Sequence, residues 1–450
     1  MAKHKKATSS VVKAQPKEGL SSIRVIELFD GVGGFRIGLE EANRRLEGIG
    51  YDIVWSNQWE PSTKRQHASE VYQMRWRDGR HSCEDITAAI EKGDVPKKFD
   101  LAVGGFPCQD YSVARTANQA AGIEGKKGVL WWSIHEILRR YKPAYGLFEN
   151  VDRLLKSPSS RRGRDFAVML ASMADLGYIV EWRVINAADF GFPQRRKRIF
   201  ILAYRSDTDL ADAAKSSSST DWMTVSGVLA AALPCVPFQT TSGVSQRALL
   251  DSVAPTLQLK GTLADISEEF NKDGALRNPF EDAGLLIGRN VFTLKTLPSY
   301  SGVRRYLGHM LEHEDDVPDE YFVPESELSK WRYLKGAKSL RRTKANGVEY
   351  SYDEGAMAFP DALDRPSRTI ITAEGGSTPS RFKHIIYLEN KKRWRRLTPV
   401  ELEKLSGFPP NHTFRVGISD TKRAFFMGNA LVTGIVERIG VKLADRIKQG

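Results

Sequence analysis

The chain has 450 residues, and 67 Lys+Arg against 55 Asp+Glu give a formal net charge of +12. At 41% hydrophobic and 27% charged residues it reads as a soluble globular protein with room for about two to four domains, which excludes global disorder. Its three cysteines, Cys83, Cys108 and Cys235, exclude a disulfide scaffold and a four-cysteine zinc site and fit a reducing, cytoplasmic setting, while the absence of a long apolar run or a secretory signal argues against a membrane protein. Residues 1–22 are basic, lack apolar periodicity and read as a flexible tail. Ile23–Leu28 predicts a strand, Gly31, Gly33 and Gly34 a turn, and Phe35, Leu39, Ala42 and Leu46 a helix. Strands follow at 52–56 and 99–103, then a helix at 129–140 and a strand at 145–148. A helix at 165–176 leads into strands at 178–185 and 198–203. This alternation predicts an α/β fold with a mostly parallel sheet covered on both faces. After Tyr204 the alternation fades through a Ser-rich stretch, so a domain boundary is expected at 205/206. Beyond an acidic run at 312–320, Lys330–Lys344 carries seven basic residues and no acid, interleaved with Trp331 and Tyr333. Thr369–Thr372 predicts a strand, and one long helix with Phe425, Val432, Ile435, Ile439 and Leu443 closes the sequence.

Several segments stand at strand ends, where open α/β sheets bind ligands. The turn Phe29-Asp30-Gly31-Val32-Gly33-Gly34 opens a helix whose amides and dipole suit an anionic group; the plainer reading is a tight connection. Gln58-Trp59 and Asp85-Ile86 offer a ring to stack on an adenine and polar groups for adenine or ribose. Equally, Trp59 is core and Asp85 caps a helix at 86–90. Pro107-Cys108-Gln109 follows a strand through Gly104 and Gly105, which puts a thiol in a loop instead of on an apolar face. Asp110–Gly128 is long enough to form a closing lid. Glu149-Asn150-Val151 ends another strand, and a carboxyl there, in a partly apolar cleft, has the setting of a general acid. In Gln194-Arg195-Arg196-Lys197-Arg198, alternation sends Arg196 and Arg198 to one side, although charge runs are usually solvated faces.

Taken in order, these residues resemble the motif set of the DNA (cytosine-5)-methyltransferases. The FxGxGG turn stands as Phe29–Gly34, Pro-Cys-Gln as Pro107–Gln109, Glu-Asn-Val as Glu149–Val151, and Gln-x-Arg-x-Arg as Gln194, Arg196 and Arg198. The late motif runs from Arg396-Leu397-Thr398-Pro399 to Gly407-Phe408-Pro409, and Gly428-Asn429 precedes Val432. The resemblance implies a Rossmann-like S-adenosylmethionine-dependent methyltransferase domain with a smaller target-recognition domain. It also implies that Cys108 attacks C6 of a flipped-out cytosine, with Glu149 at N3, Arg198 on the O2 edge and Arg196 in support. The donor S-adenosylmethionine would lie over Phe29 and Trp59, against Gly31, Gly33, Gly34, Ile86 and Pro107, with Asp85 toward the adenine amino group and Asn429 near the methionine part. No metal is expected. One departure concerns the ribose: where the family usually has an acid before the motif tryptophan, this chain has Gln58, and the nearest acid is Glu60.

The implied organisation is a tail at 1–22, a catalytic domain at 23–205, a target-recognition domain at 206–395, a hinge with the late motif at 396–421, and a helix at 422–450 that completes the catalytic domain. The implied partner is double-stranded DNA, through which the protein would associate with a bacterial nucleoid, and a restriction endonuclease acting on the same site is a further candidate. Gln109 and Ser112 would touch DNA beside the nucleophile. Lys335, Lys338, Arg341 and Arg342 are candidates for phosphate contacts, with Arg381 and Lys383 similar in kind; the alternative is a solvated basic face. Three other functions compete. An RNA cytosine methyltransferase of this family would have a short variable region, a catalytically dead homologue would have lost Cys108 or Glu149, and a dinucleotide oxidoreductase leaves Pro-Cys-Gln unexplained.

Overall fold

Val25, Ile26 and Leu28 are fully buried, so the first strand is covered on both faces, as an interior parallel strand must be. In the computed structural model, which describes residues 21–106, 130–238, 256–343 and 347–449, that strand is β1 (Ser21–Leu28), beginning just inside the expected tail. The elements that follow are α1 (Gly34–Asn43), β2 (Ile49–Asn57), α2 (His67–Arg75), β3 (Arg80–Ser82), α3 (Ile86–Glu91) and β4 (Leu101–Gly105). Then come α4 (Leu130–Tyr141), β5 (Tyr145–Val151), α5 (Arg164–Asp175), β6 (Tyr178–Asn186) and β7 (Lys197–Arg205). The elements predicted as far as Tyr204 are all present; β3, three residues long and flanked by charge, is too short to show a period in the sequence.

The strands lie in the order β3-β2-β1-β4-β5-β7-β6. The first five run parallel, and β7 is antiparallel to both of its neighbours. The chain leaves β1 on one side for β2 and returns on the other for β4. Their carboxyl ends therefore form the crevice where doubly wound sheets bind ligands. One face of the sheet packs on α1 and the terminal helix Thr433–Gln449, the other on α4 and α5. Gly38 lets α1 approach that helix closely: a Cβ there would lie 2.5 Å from the Val436 side chain.

Two expectations are corrected. The sheet does not end at 205/206, because strands Ala283–Ile287, Asn290–Leu294 and Leu257–Gln258 add to its β6 edge and extend it to ten strands. Helices at 209–216 and 228–232 also bury Leu210, Ala211, Val228 and Leu229 in the same core, so residues up to about 294 belong to the catalytic layer. The apolar content of these short elements is too brief for a period to register. The closing helix is two, Asp420–Asn429 and Thr433–Gln449, broken at Ala430–Val432. The break places Gly428 against the Thr372 backbone, where a Cβ would lie at 2.4 Å.

The remaining segment builds a smaller unit. It comprises a three-stranded sheet (Phe322–Val323, Arg393–Arg395, Ile386–Leu388), the helix Glu325–Lys335 and an exposed hairpin, Lys338–Thr343 with Glu349–Glu354. The predicted strand Thr369–Thr372 pairs with no ladder. Its Ile370 N–H and C=O are taken instead by the side chains of Gln194 and Arg196, at 3.2 and 3.1 Å.

Candidate active site

The glycine-rich turn is held from below. Glu27, fully buried at the end of β1, accepts hydrogen bonds from the Arg36 N–H (3.3 Å) and the Tyr72 hydroxyl (3.0 Å), and Arg36 reaches on to Glu40 and Asp78. Burial and the nearby Asp30 push the Glu27 carboxyl well above the usual range. His412 donates from Nε2 to the Val32 carbonyl (2.7 Å), pinning the turn from the late motif. That contact has no sequence signal, because the two residues are 380 positions apart. Gly31 and Phe29 adopt positive φ (58° and 54°), and a Cβ at Gly31 would meet only open space. At Gly31 the turn therefore presents backbone with no side chain over it, which suits a ligand approaching the N-terminus of α1.

The other candidate donor contacts are more varied in their surroundings. Trp59 is 38% exposed, so its ring is not core. Asp85 caps α3, accepting from the Thr87 N–H at 2.9 Å, and Ile86 behind it is buried. The capping reading of Asp85 holds, and the cap uses one carboxylate oxygen. Gln58 is buried and accepts from the Gly31 N–H (2.8 Å), so its carbonyl oxygen is spent on the turn and its amide nitrogen remains as a donor. Glu60 lies 3.5 Å from the Lys422 ammonium. Asn429, at the end of its helix, is exposed.

The second centre lies at the ends of β5 and β7. Register places Val151 opposite Arg198 and Glu149 opposite Phe200, and the Arg198 Nε donates to the nearly buried Glu149 carboxylate at 2.9 Å. Burial pushes the Glu149 carboxyl up, against the pull of Arg198 and Arg196. Gly105 lies against it; a Cβ there would sit 3.2 Å from its Oε2. Asn150 donates from Nδ2 to the Phe106 carbonyl (3.0 Å) and so fixes the residue that precedes Pro107. Arg196 faces inward. It donates to the carbonyls of Ile370 (3.1 Å) and Gly428 (2.8 Å), and burial pulls its pKa down to about 9. Gln194 is also buried, donating to the Leu405 carbonyl and the Ser406 hydroxyl. The motif thus assigns one arginine to the carboxylate, and the other, more deeply buried, to stitching the smaller unit and the helix bearing Asn429 onto the sheet. Pro107, Cys108, Gln109, Ser112 and the expected lid at 110–128 lie outside the described residues.

Residues 23–445 match the family of C-5 cytosine-specific DNA methylases. The chain belongs to that family. It is 41% identical over 421 residues to the type II methyltransferase M.Sau3AI of Staphylococcus aureus, covering 94% of this chain and 95% of that protein. It is 35% identical over 191 residues to M.HhaI of Haemophilus parahaemolyticus, covering 42% of this chain and 52% of the relative. Among solved structures, the fold superposes on S. pombe Dnmt2 with a TM-score of 0.53 at 16% identity, over 95% of this chain and 99% of that one. The fold is the α/β fold of that methyltransferase. The enzyme is a DNA (cytosine-5-)-methyltransferase of the type II modification kind.

The basic segment of this methyltransferase divides in two. Lys335 ends a helix, is 1% exposed, and donates from Nζ to the Lys383 carbonyl (2.7 Å), with Asp361 at 3.7 Å. A buried ammonium cannot meet a phosphate, so Lys335 leaves the set of phosphate candidates. Lys383 is buried in the same way, and Arg381 pairs with Glu354. Lys338, Arg341 and Arg342 lie on the hairpin, with Arg341 and Arg342 exposed and Arg342 stacked 4.0 Å over the Tyr352 ring. Among the described residues no single helix is long and apolar enough to cross a membrane, and no cluster of metal-ligating side chains occurs.

Proposed function

We propose that the protein methylates C5 of a cytosine flipped out of a specific double-stranded DNA sequence, through a covalent bond between the Cys108 thiolate and C6. The observation that carries this reading is the Glu149–Arg198 pair at the carboxyl edge of the sheet. It sits on the same strand as the Asn150 amide that anchors Phe106, just before Pro107-Cys108. Attack at C6 drives electron density toward N3. A carboxyl that burial biases toward its protonated form is suited to give a proton there, and the adjacent guanidinium suits the neighbouring O2. When C5 has gained its methyl group, loss of the C5 proton expels the thiolate and restores the ring. The nucleophile thereby divides one difficult substitution into two easier steps.

The residues at the glycine-rich turn fit S-adenosylmethionine. Open backbone at Gly31 suits its charged end, the exposed Trp59 ring and the partly buried Phe29 ring suit its adenine, and the Gln58 amide and Asp85 are candidate polar partners. Bound there, S-adenosylmethionine supplies the methyl group. The exposed cations on the hairpin, Arg341 and Arg342 above all, are suited to DNA phosphates. A restriction endonuclease sharing the site, and a cytoplasmic place of action, accord with the type II relatives.

DNA carrying 5-fluorocytosine at the target has no removable C5 proton, so the wild-type adduct should survive denaturing electrophoresis when the donor is present. Cys108→Ala should form none, and an adduct in that variant would sink the mechanism. Glu149→Gln should bind DNA normally yet lose most turnover, about a hundredfold, because an amide has no proton to deliver at N3.

A further inference from the structure

Inside the glycine-rich turn lies a carboxyl that the fold leaves without a firm partner. Asp30, one peptide bond from Gly31, is 6% exposed, and neither of its carboxyl oxygens has a well-formed hydrogen bond. The His81 Nδ1 stands 3.3 Å from its Oδ2, but that nitrogen is also 2.7 Å from the Ser56 hydroxyl, and Nε2 of the same ring is 2.7 Å from the Ser69 hydroxyl. Burial pulls the His81 pKa down to about 4, so at neutral pH the ring is uncharged and offers Asp30 no ion pair. An aspartate buried in this way bears a desolvation cost that its neighbours do not offset.

The surroundings add acid and little base. Facing Asp30 are Ser56 of β2, His81 of β3, Glu27 of β1, Arg36 of α1 and Tyr72 of α2. Arg36 is the cation among them, and it is drawn elsewhere: its Nε donates to Glu40 (2.9 Å), its Nη2 to Asp78 (2.5 Å) and its backbone N–H to Glu27 (3.3 Å). The carboxyls of Glu27, Asp30, Glu40 and Asp78 therefore share a single guanidinium among the described residues of this cluster. Burial, against the pull of Ser56 and Arg36, pushes the Asp30 carboxyl well above the usual range. Such a site keeps a proton where a cation is missing.

The ligand proposed for this turn changes its charge during the reaction. S-adenosylmethionine is a sulfonium; once its methyl group has moved, the electron pair of the broken S–C bond stays on sulfur, and S-adenosylhomocysteine is left with a neutral thioether. We propose that Asp30 is a specificity-determining residue that distinguishes donor from demethylated product by charge, and that donor binding expels the proton its carboxyl holds in the unliganded protein. This rests on the reading of the turn as the donor site. Direct contact is not required, because in a poorly hydrated interior Coulomb attraction persists over several ångströms. A cation favours the ionised carboxyl, so affinity for the donor should climb with pH until the free carboxyl is ionised and then level off. Affinity for the product should follow pH less, and since both ligands carry the same amino and carboxyl groups, their difference isolates the sulfur.

Titration calorimetry of the full chain with each ligand, in two buffers of different ionisation enthalpy between about pH 5 and 8, reads affinity and proton release together. The wild type should release more protons with S-adenosylmethionine than with S-adenosylhomocysteine. Asp30→Asn, nearly isosteric, should lose that excess and bind the donor about tenfold more weakly, while product affinity stays within about threefold. Equal proton release with the two ligands in the wild type would overturn the inference, whatever the variant does. So would an Asp30→Asn protein that weakens both ligands alike, which marks a role in shaping the turn. Loss of the excess in Glu27→Gln but not in Asp30→Asn would overturn it too, by moving the proton to Glu27. A folded wild type that binds neither ligand would instead overturn the donor site itself.

Discussion

The catalytic motif 194–198 and the basic segment 330–344 are both short runs of cations, and each sorts its charges by a different geometry. In the motif, depth separates the roles: the buried Arg196 turns into backbone carbonyls, and the more accessible Arg198 onto the Glu149 carboxylate. In the basic segment a change of element does the sorting. Lys335, at the end of a helix, is swallowed by the core of the smaller unit, whereas Arg341 and Arg342, on the hairpin that follows, stay in solvent. A cation's function therefore follows from whether its carrier element has a second layer packed against it, and charge density alone says little.

The comparison can be broken most decisively at Arg196. Arg196→Ala leaves the Ile370 and Gly428 carbonyls without their partner and a cavity behind, so denaturant unfolding should show a loss of about 3–5 kcal/mol. A loss below about 1 kcal/mol would mean that the junction is held elsewhere. Arg198→Ala should do the reverse, costing about a hundredfold in turnover, or ~2.7 kcal/mol, with little change in stability. It also carries a pH signature. Arg198 lowers the Glu149 pKa, so its removal raises it; with the protonated carboxyl as the competent form, the alkaline fall in turnover should move to higher pH. A limb that stays in place would detach Glu149 from the proton step.

On the hairpin, Lys338, Arg341 and Arg342 changed to Ala should flatten the salt dependence of DNA binding by about one unit of slope for each phosphate that these side chains neutralise, leaving stability within about 0.5 kcal/mol. Lys335→Met should leave that slope alone. Smallest is the effect at the ribose. Gln58→Glu keeps an acceptor for the Gly31 amide and adds a charged oxygen, so calorimetry should find S-adenosylmethionine bound at most about tenfold tighter, ~1.4 kcal/mol, with Glu60→Ala close to wild type. Loss of most affinity in Glu60→Ala would reassign the ribose to Glu60.

The first half of the fold is legible because it consists of long, strongly periodic elements: β1, α1, β5, α5 and β6 fall within a few residues of their predicted bounds. The added strands 257–294 are not, since each is at most five residues long and gains its burial only by joining the β6 edge. At the site, motif residues can be named from order and spacing alone. The supports cannot: His412 beneath Val32, Arg36 beneath Glu27, and His81 beside Asp30 act through contacts that only the folded chain creates. Thr369–Thr372 has the composition of a strand because β-branched residues favour extended chain whatever completes their hydrogen bonds.

The seam between α1 and the helix Thr433–Gln449 bears on how the enzyme is made. Tyr51, on β2, donates its hydroxyl to the Gly440 carbonyl at 2.6 Å, across 389 residues of sequence. Closing a loop of that length costs about 5 kcal/mol beyond the constant term, and it must wait until residue 440 has left the ribosome. Until then the sheet that carries the glycine-rich turn lacks a covering layer on one face, and its apolar side chains stay bare. Synthesis that stops before Thr433 would leave that face bare and yield no folded enzyme.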